Sequence, residues 1–185
     1  MTLPITGSQT VGPYFQIGMA PLFREELAGP ETVGERVTIH GRVLDGDGMG
    51  VPDAQIEIWQ ADAQGKYCET ESGAEGGFRG FGRVATNGHG EFRFTTIKPG
   101  SVAGPADSPL APHLVVLVFM RGLLRHLVTR IYFAGEAANE SDLILKLVPA
   151  ERQHTLIAQR DNGGAAAFEW NVRLQGNDET VFFDV

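Results

Sequence analysis

Apolar and polar side chains alternate in short runs along most of the chain, which is the pattern of half-buried β-strands. These runs are Arg36 to Val43, Ala54 to Trp59, Arg83 to Thr86, Phe92 to Thr96, Leu127 to Phe133 and Phe168 to Leu174, and Thr180 to Phe183 is a shorter candidate. His113 to Met120 is almost continuously apolar, which predicts a strand buried on both faces and paired with Leu127 to Phe133. Asp45-Gly46-Asp47-Gly48 and Asn87-Gly88-His89-Gly90 are turn sequences that predict hairpins.

The remaining segments predict one helix and an irregular N-terminus. Pro149 to Arg160 has a proline to open a helix, and Leu156 and Ile157 would face inward. Residues 1–34 show no sustained period, which indicates an extended arm with a short helical turn around Leu22 to Leu27. We therefore predict one domain over residues 1–185 that is mainly β. Residues 35–185 would form an antiparallel β-sandwich, like immunoglobulin or prealbumin, with one packed helix.

Composition narrows the classes of partner. The net charge is -8, which argues against a nucleic-acid partner and means that an anionic substrate would need a local cation. Cys68 is the one cysteine, so no internal disulfide can form, and we expect a cytoplasmic protein without a signal peptide. The apolar stretch from Leu114 to Met120 is too short to cross a bilayer.

Several segments resemble the intradiol ring-cleavage dioxygenases. They are Ile56-Glu57-Ile58-Trp59-Gln60-Ala61-Asp62 with Gly65-Lys66-Tyr67, Phe81-Gly82-Arg83 leading to Thr96-Ile97-Lys98-Pro99-Gly100, and Ala111-Pro112-His113 leading to Arg130-Ile131-Tyr132-Phe133. Ser8 to Phe15 resembles the start of the protocatechuate-cleaving members, and Gln175 to Phe183 is similar to their alpha chains in particular. The similarity extends over nearly the whole chain.

The resemblance implies a ferric ion held by two tyrosines and two histidines, a ligand set that suits a hard cation. Tyr67 and His113 match one ligand of each kind, while Val102 and Val115 stand at the positions of the other two. Leu110 stands where the family has an arginine that assists the reaction. Because valine has no donor atom, the resemblance predicts a vestigial site, with no metal and no catalytic residue in this chain.

A chain without the metal would need a partner, and the resemblance implies a beta subunit that carries Fe(III). Together they would form a heteromer that cleaves protocatechuate with O₂ to 3-carboxy-cis,cis-muconate, with this chain lining the substrate pocket. The matching residues are Thr10, Gly12, Pro13 and Tyr14, and Arg130 is the candidate cation for the substrate carboxylate. A guanidinium suits that role because it binds a carboxylate through two parallel hydrogen bonds.

Other interpretations stay open. Tyr67 can be a tyrosine that follows a turn, His113 a hydrogen-bonded structural histidine, and Arg130 a solvated arginine. The fold also serves in non-catalytic binding modules, and a self-contained dioxygenase with rearranged ligands is a further alternative. A calcium loop beginning at Asp45 is excluded because its twelfth position holds Ile56.

Overall fold

The computed structural model describes residues 5–68, 77–105, 108–161 and 166–184, and these are mainly β-strand. The strands are β1 (Arg36–Leu44), β2 (Gln55–Trp59), β3 (Phe81–Ala85), β4 (Glu91–Ile97), β5 (Val102–Ala103), β6 (Pro109–Leu110), β7 (His113–Phe119), β8 (Leu127–Phe133), β9 (Ile157–Arg160), β10 (Ala167–Glu169) and β11 (Val172–Arg173). An α-helix, α1, spans Pro13–Met19, and short 3₁₀ helices lie at Ala20–Leu22, Ala137–Glu140, Leu145–Leu147 and Ala150–Leu156.

Nine strands form one sheet in the order β11-β1-β10-β9-β8-β7-β2-β3, with β4 also paired to β1, while β5 and β6 pair separately. Most pairs are antiparallel, as the sequence predicts, but β1/β10, β1/β11 and β8/β9 are parallel. The prediction of a purely antiparallel arrangement is therefore wrong at these three ladders. The 3₁₀ helices between β8 and β9 return the chain to the starting end of the sheet, so β9 runs in the same direction as β8.

The end of the N-terminal arm nearly closes the sheet by joining its two outer strands. Arg24 exchanges two backbone hydrogen bonds with Arg83 of β3, at 2.7 and 3.0 Å. On the other side, Thr95 of β4 donates to the Glu25 carbonyl and accepts from the Leu27 N–H, at 2.8 and 2.9 Å. The segment therefore satisfies backbone groups of both strands that would otherwise form exposed edges. Leu27 is 1% exposed and belongs to the core.

The main core lies inside this nearly closed sheet and draws apolar side chains from all its parts. Ile39 and Phe94 come from the β1/β4 pair, and Ile56 and Val116 come from the β2/β7 pair, all fully buried. Their inward positions follow the alternation in the sequence, because successive side chains of a strand point to opposite faces. The opposite face of β7 is only partly buried, so this strand is not enclosed on both sides as predicted.

The predicted helix from Pro149 to Arg160 is wrong in type and length. Residues Ala150–Leu156 form a 3₁₀ helix, and the chain then enters β9. Ile157 pairs with Tyr132 and Ala158 pairs with Phe133, so the ladder with β8 sets the backbone here. The helical turn expected around Leu22 to Leu27 lies earlier in the chain, where Pro13 provides a favourable first helical residue for α1.

Both predicted turns form, but the chain does not return along the same strand. The Asn87 N–H donates to the Glu91 carbonyl at 3.0 Å, yet β3 pairs with β2, and β4 pairs with β1. The turn after β1 is likewise closed by the Leu44–Gly50 bridge. The predicted late strand is divided into β10 and β11, and Phe183 makes a single bridge to Val128. Among the helices of the described ranges, none has both the length and the apolar character that a membrane span requires.

Candidate functional site

The loops that carry the positions of Tyr67 and Val102 are locked together by backbone contacts. The Gly100 N–H donates to the Asp62 carbonyl at 2.8 Å. Gly65 has φ +79°, and a Cβ atom there would lie 2.0 Å from the Ser101 carbonyl oxygen, so this turn requires glycine. The contact brings two segments that are more than thirty residues apart to the same end of the sheet.

His113 begins β7 and is held by the backbone in one tautomer. Its Nδ1 lies 2.7 Å from the Ala111 carbonyl oxygen. Because a carbonyl only accepts, Nδ1 carries the proton, and Nε2 of the neutral ring keeps its lone pair. The ring is 4% exposed and packs against Tyr132, with 5.8 Å between the ring centroids. Burial, the largest influence, lowers the pKa of His113 and favours the neutral ring.

Arg130 lies among the positions that match the metal ligands. It is paired with Val115 across the β7/β8 ladder, and its Nη1 donates to the Tyr132 hydroxyl at 3.4 Å. Burial raises the pKa of Tyr67, and the positive charge of Arg130 acts in the opposite direction on the same phenol. The guanidinium is therefore near Tyr67 and His113, the two predicted ligand positions that keep a donor atom.

Behind Arg130, Tyr132 connects to a fully buried carboxylate. The Tyr132 hydroxyl donates to Oδ1 of Asp142 at 3.1 Å. Asp142 also accepts the backbone N–H groups of Ala111, Ile144 and Leu145, at 2.8, 2.9 and 2.8 Å. Four donors compensate the desolvation of this carboxylate, and burial raises the pKa of Tyr132 far above its ordinary value.

These side chains do not fit a ferric ion. Val102 and Val115 have no donor atom, and Val102 packs in an apolar cluster. Burial disfavours the phenolate of Tyr67, which is the form that would bind the metal. Arg130 adds a positive charge at the same place, and this charge would repel a cation. Over the described ranges, no group of three or more His, Cys, Asp or Glu residues could hold a metal ion.

The N-terminal motif, which we define as Thr10, Gly12, Pro13 and Tyr14, lies at the other end of β7. Oγ1 of Thr10 accepts the Gly122 N–H at 2.7 Å and is 3.5 Å from the Met120 carbonyl oxygen to which it donates. These bonds fix the motif to the turn between β7 and β8.

Helix α1 begins directly inside the N-terminal motif. Gly12 is its N-cap and Pro13 its first residue, and the ring of Phe15 packs against Phe119 with 5.5 Å between centroids. Tyr14 is 83% exposed. The motif therefore presents a large aromatic side chain on a surface that the chain itself leaves uncovered.

The structure does not bring Arg130 together with the N-terminal motif. Arg130 is level with Val115, whereas Thr10 binds at Met120, and five residues of a strand span about 16 Å. Arg121 is the arginine beside Thr10, and its side chain is 64% exposed in an ion pair of 3.0 Å with Asp53. The sequence did not single out Arg121, because Thr10 and Gly122 are 112 residues apart and only the fold joins them.

Comparisons with known proteins agree on one family. A sequence model described as Dioxygenase matches residues 11–176. The protocatechuate 3,4-dioxygenase alpha chain of Burkholderia cepacia is 47% identical, with 100% of this chain and 99% of that one covered. The alpha chain of Pseudomonas putida is 43% identical, with 98% and 97% covered. The beta chain of Burkholderia cepacia is 31% identical, with 96% of this chain and 78% of that one covered.

Solved structures show the same fold. The dioxygenase domain of a dioxygenase–carbohydrate-binding protein fusion from Streptomyces sp. SirexAA-E has a TM-score of 0.66 at 25% identity, covering 86% of this chain and 89% of that one. Catechol 1,2-dioxygenase from Acinetobacter sp. ADP1 has a TM-score of 0.64 at 22% identity, covering 80% of this chain and 55% of that one.

Proposed function

Because the chain belongs to the dioxygenase family, we propose that it is the alpha subunit of a protocatechuate 3,4-dioxygenase and binds no metal itself. The beta subunit holds Fe(III), and the heteromer cleaves protocatechuate with O₂ to 3-carboxy-cis,cis-muconate. The observation that carries this proposal is the group of Val102, Val115 and Arg130, which puts two apolar side chains and a cation where a ferric site needs anionic and neutral donors.

The partner is proposed from the relatives. This chain is similar along nearly its whole length to an alpha chain and, more distantly, to a beta chain from the same organism. Two subunits of one fold are suited to a pairing about a pseudo-twofold axis, in which each presents the equivalent surface to the other.

We place the N-terminal motif at the substrate pocket of the partner. Thr10 fixes the motif to the β7/β8 turn, which leaves Tyr14 free to contact a neighbouring subunit or its substrate. Gly12 and Pro13 present backbone without a bulky side chain, so this part of the chain can approach a ligand closely. The chain therefore shapes the pocket and contributes no catalytic residue.

Arg121 is the cation that the fold supplies beside this motif. A chain of net charge -8 repels an anionic substrate at long range, and a local guanidinium offsets that repulsion. Arg121 is exposed, and its ion pair with the carboxylate of Asp53 is strongly screened by water. We propose that Arg121 attracts the substrate carboxylate to the shared pocket, whereas Arg130 acts at a separate place in this chain.

For the architecture, we propose a sandwich of the immunoglobulin or prealbumin kind within the nearly closed sheet. The β4-β1-β10 part and the β3-β2-β7-β8 part supply the two facing layers. Support comes from the main core cluster, to which both parts contribute side chains.

Iron analysis tests the proposed role. The chain is purified alone and, separately, after co-expression with the beta subunit. The iron content of both preparations is measured by mass spectrometry. We expect about one iron ion per pair and no stoichiometric iron in the lone chain. The pair should turn over protocatechuate, and the lone chain should not. Two iron ions per pair, or a loaded lone chain, would contradict the proposal.

The place of Arg121 is tested by steady-state kinetics of the pair. Arg121→Ala should raise KM for protocatechuate about tenfold, because the substrate loses an attractive charge, and should change kcat much less. Arg173→Ala, which removes an exposed arginine of β11, is the matched control. Equal kinetic constants for the two variants would contradict the proposal that Arg121 attracts the substrate.

A further inference from the structure

Arg130 has no partner of opposite charge among the residues that the structure describes. Its guanidinium makes no ion pair with a carboxylate of the described residues, and its hydrogen bond to the Tyr132 hydroxyl is long at 3.4 Å. A partly buried cation is normally compensated by an anion, since desolvation penalises a lone charge. A guanidinium has five N–H donors, and over the described part of the chain Arg130 uses one of them, toward Tyr132.

The buried carboxylate nearby does not fill this role. Asp142 is separated from Arg130 by the Tyr132 hydroxyl, and its oxygens already accept four hydrogen bonds. The Tyr132 hydroxyl therefore lies between the two charges, and Asp142 makes no ion pair with Arg130.

Aromatic and apolar side chains share one face of the sheet with this cation. Trp59, Val115 and Arg130 are level across β2, β7 and β8, and residues directly opposite in antiparallel ladders point to the same face. Trp59 is 46% exposed, and Tyr67 is 39% exposed. These exposed aromatic side chains could pack against a flat ring, and the guanidinium on the same face could pair with the carboxylate of that ring.

His113 adds an acceptor to the same group. Its Nδ1 is committed to the Ala111 carbonyl, so Nε2 of the neutral ring can accept a hydrogen bond from a hydroxyl group. An arginine for a carboxylate, rings for packing and an acceptor for a hydroxyl together suit one chemical class, the small aromatic hydroxy acids.

We propose that the Arg130 cluster, which consists of Trp59, Tyr67, His113, Val115, Arg130 and Tyr132, is a binding site for a small aromatic carboxylate. The bound carboxylate pairs with Arg130, and the ring packs against Trp59 and Tyr67. No metal takes part, and the site is separate from the pocket at the N-terminal motif. The cation in this chain thus holds an anionic ligand without converting it.

Equilibrium dialysis with radiolabelled 4-hydroxybenzoate tests this site in the assembly in which the chain purifies. We expect a site in each copy of this chain, in addition to any site in a partner. Arg130→Met should weaken that site about tenfold or more, because it removes the charge and keeps most of the apolar stem. Arg93→Met, which removes an exposed arginine of β4, should leave the number of sites unchanged.

A second variant keeps the test decisive if Arg130→Met does not fold. Trp59→Leu removes an exposed ring and should weaken the same site several-fold, by roughly the loss of one aromatic contact. The proposal fails if the wild-type chain contributes no site, or if Arg130→Met and Trp59→Leu both bind as the wild type does. It also fails if cyclohexanecarboxylate displaces the radiolabelled 4-hydroxybenzoate as well as unlabelled benzoate does, because only benzoate has an aromatic ring. Because sites are counted per copy of this chain, the result does not depend on turnover or on the identity of the partner.

Discussion

Arg130 lies directly opposite Val115 across the β7/β8 ladder, so the side chain that replaces a predicted metal ligand is level with a guanidinium. The loss of the histidine donor and the placement of a positive charge therefore concern one spot on the sheet. A site that had lost its ligands and held no charge would not repel a metal ion. A site that also contains a guanidinium repels metal ions, because both carry positive charge.

Restoring the ligands should recover metal binding only if Arg130 is also removed. We expect the double variant Val102→Tyr/Val115→His to bind little Fe(III), because the positive charge of the guanidinium repels the metal ion. Adding Arg130→Met should raise occupancy to about one ion per chain, measured by mass spectrometry after gel filtration. Val102→Phe/Val115→His/Arg130→Met is the control without the second phenol. Full loading of the double variant would show that Arg130 does not exclude iron.

Thr10→Val should weaken the binding of protocatechuate by the pair without unfolding the chain. The Thr10 hydroxyl is the group that joins the N-terminal motif to the Gly122 N–H, and one such hydrogen bond contributes about 1 kcal/mol. We expect KM for protocatechuate to rise roughly five-fold, since the motif would be held less firmly at the pocket. Ser8→Ala, a change at an exposed neighbouring residue, should leave KM as it is. If the two variants behave alike, the Thr10 anchor has no functional part.

Asp142→Asn should destabilise the fold strongly, by about 3 kcal/mol in urea unfolding, because an amide cannot accept hydrogen bonds through its nitrogen. Three backbone N–H groups and the Tyr132 hydroxyl depend on the carboxylate oxygens. Tyr132→Phe removes one of the four donors and should cost about 1 to 2 kcal/mol. Glu140→Gln, at an exposed nearby residue, should change stability by less than about 0.5 kcal/mol. A stability of Asp142→Asn close to that of the control would contradict this network.

Stability should fall in acid partly through Glu136. Its carboxylate pairs with Lys98 at 2.8 Å, and this hydrogen bond is the largest influence that lowers the pKa of Glu136. A lowered pKa in the folded state means that the unfolded chain binds the proton more readily. The contribution is therefore present above the pKa of the unfolded carboxyl and is lost as pH falls through the folded value.

Glu136→Gln isolates this effect. The variant should be less stable than the wild type at pH 7, and the difference should shrink as the pH is lowered below about 4.5, the ordinary range of a glutamate. Urea unfolding at a series of pH values measures it, and Glu140→Gln again serves as the exposed control. A difference that stays constant with pH would mean that the ion pair does not link protonation to folding.

The strands were predictable because their signal is local. The alternation of Val37, Ile39 and Val43 places these side chains inside whatever sheet forms, and the structure buries all three. The segment from Ile157 to Arg160 was not predictable in the same way. Its residues can continue a helix, and only pairing with β8 and β10 makes them a strand.

The same division applies to the candidate site. Val102 and Val115 could be recognised as non-ligands from the order of residues around them. The position of Arg130 level with Val115 required the register of a ladder, and the contact of Thr10 with the turn at Arg121 required the complete fold. Both are relationships between segments that are distant in the sequence.

By itself, the sequence determined that this protein is built mainly of β-strands and that two of the predicted ligand positions carry valine, because alternation and side-chain chemistry are properties of each residue and its neighbours. Only the tertiary structure decided which arginine lies beside the N-terminal motif and which lies among the predicted ligand positions. The physical reason is that charges and hydrogen bonds act over a few ångströms in space, and the fold alone sets which residues come within that distance.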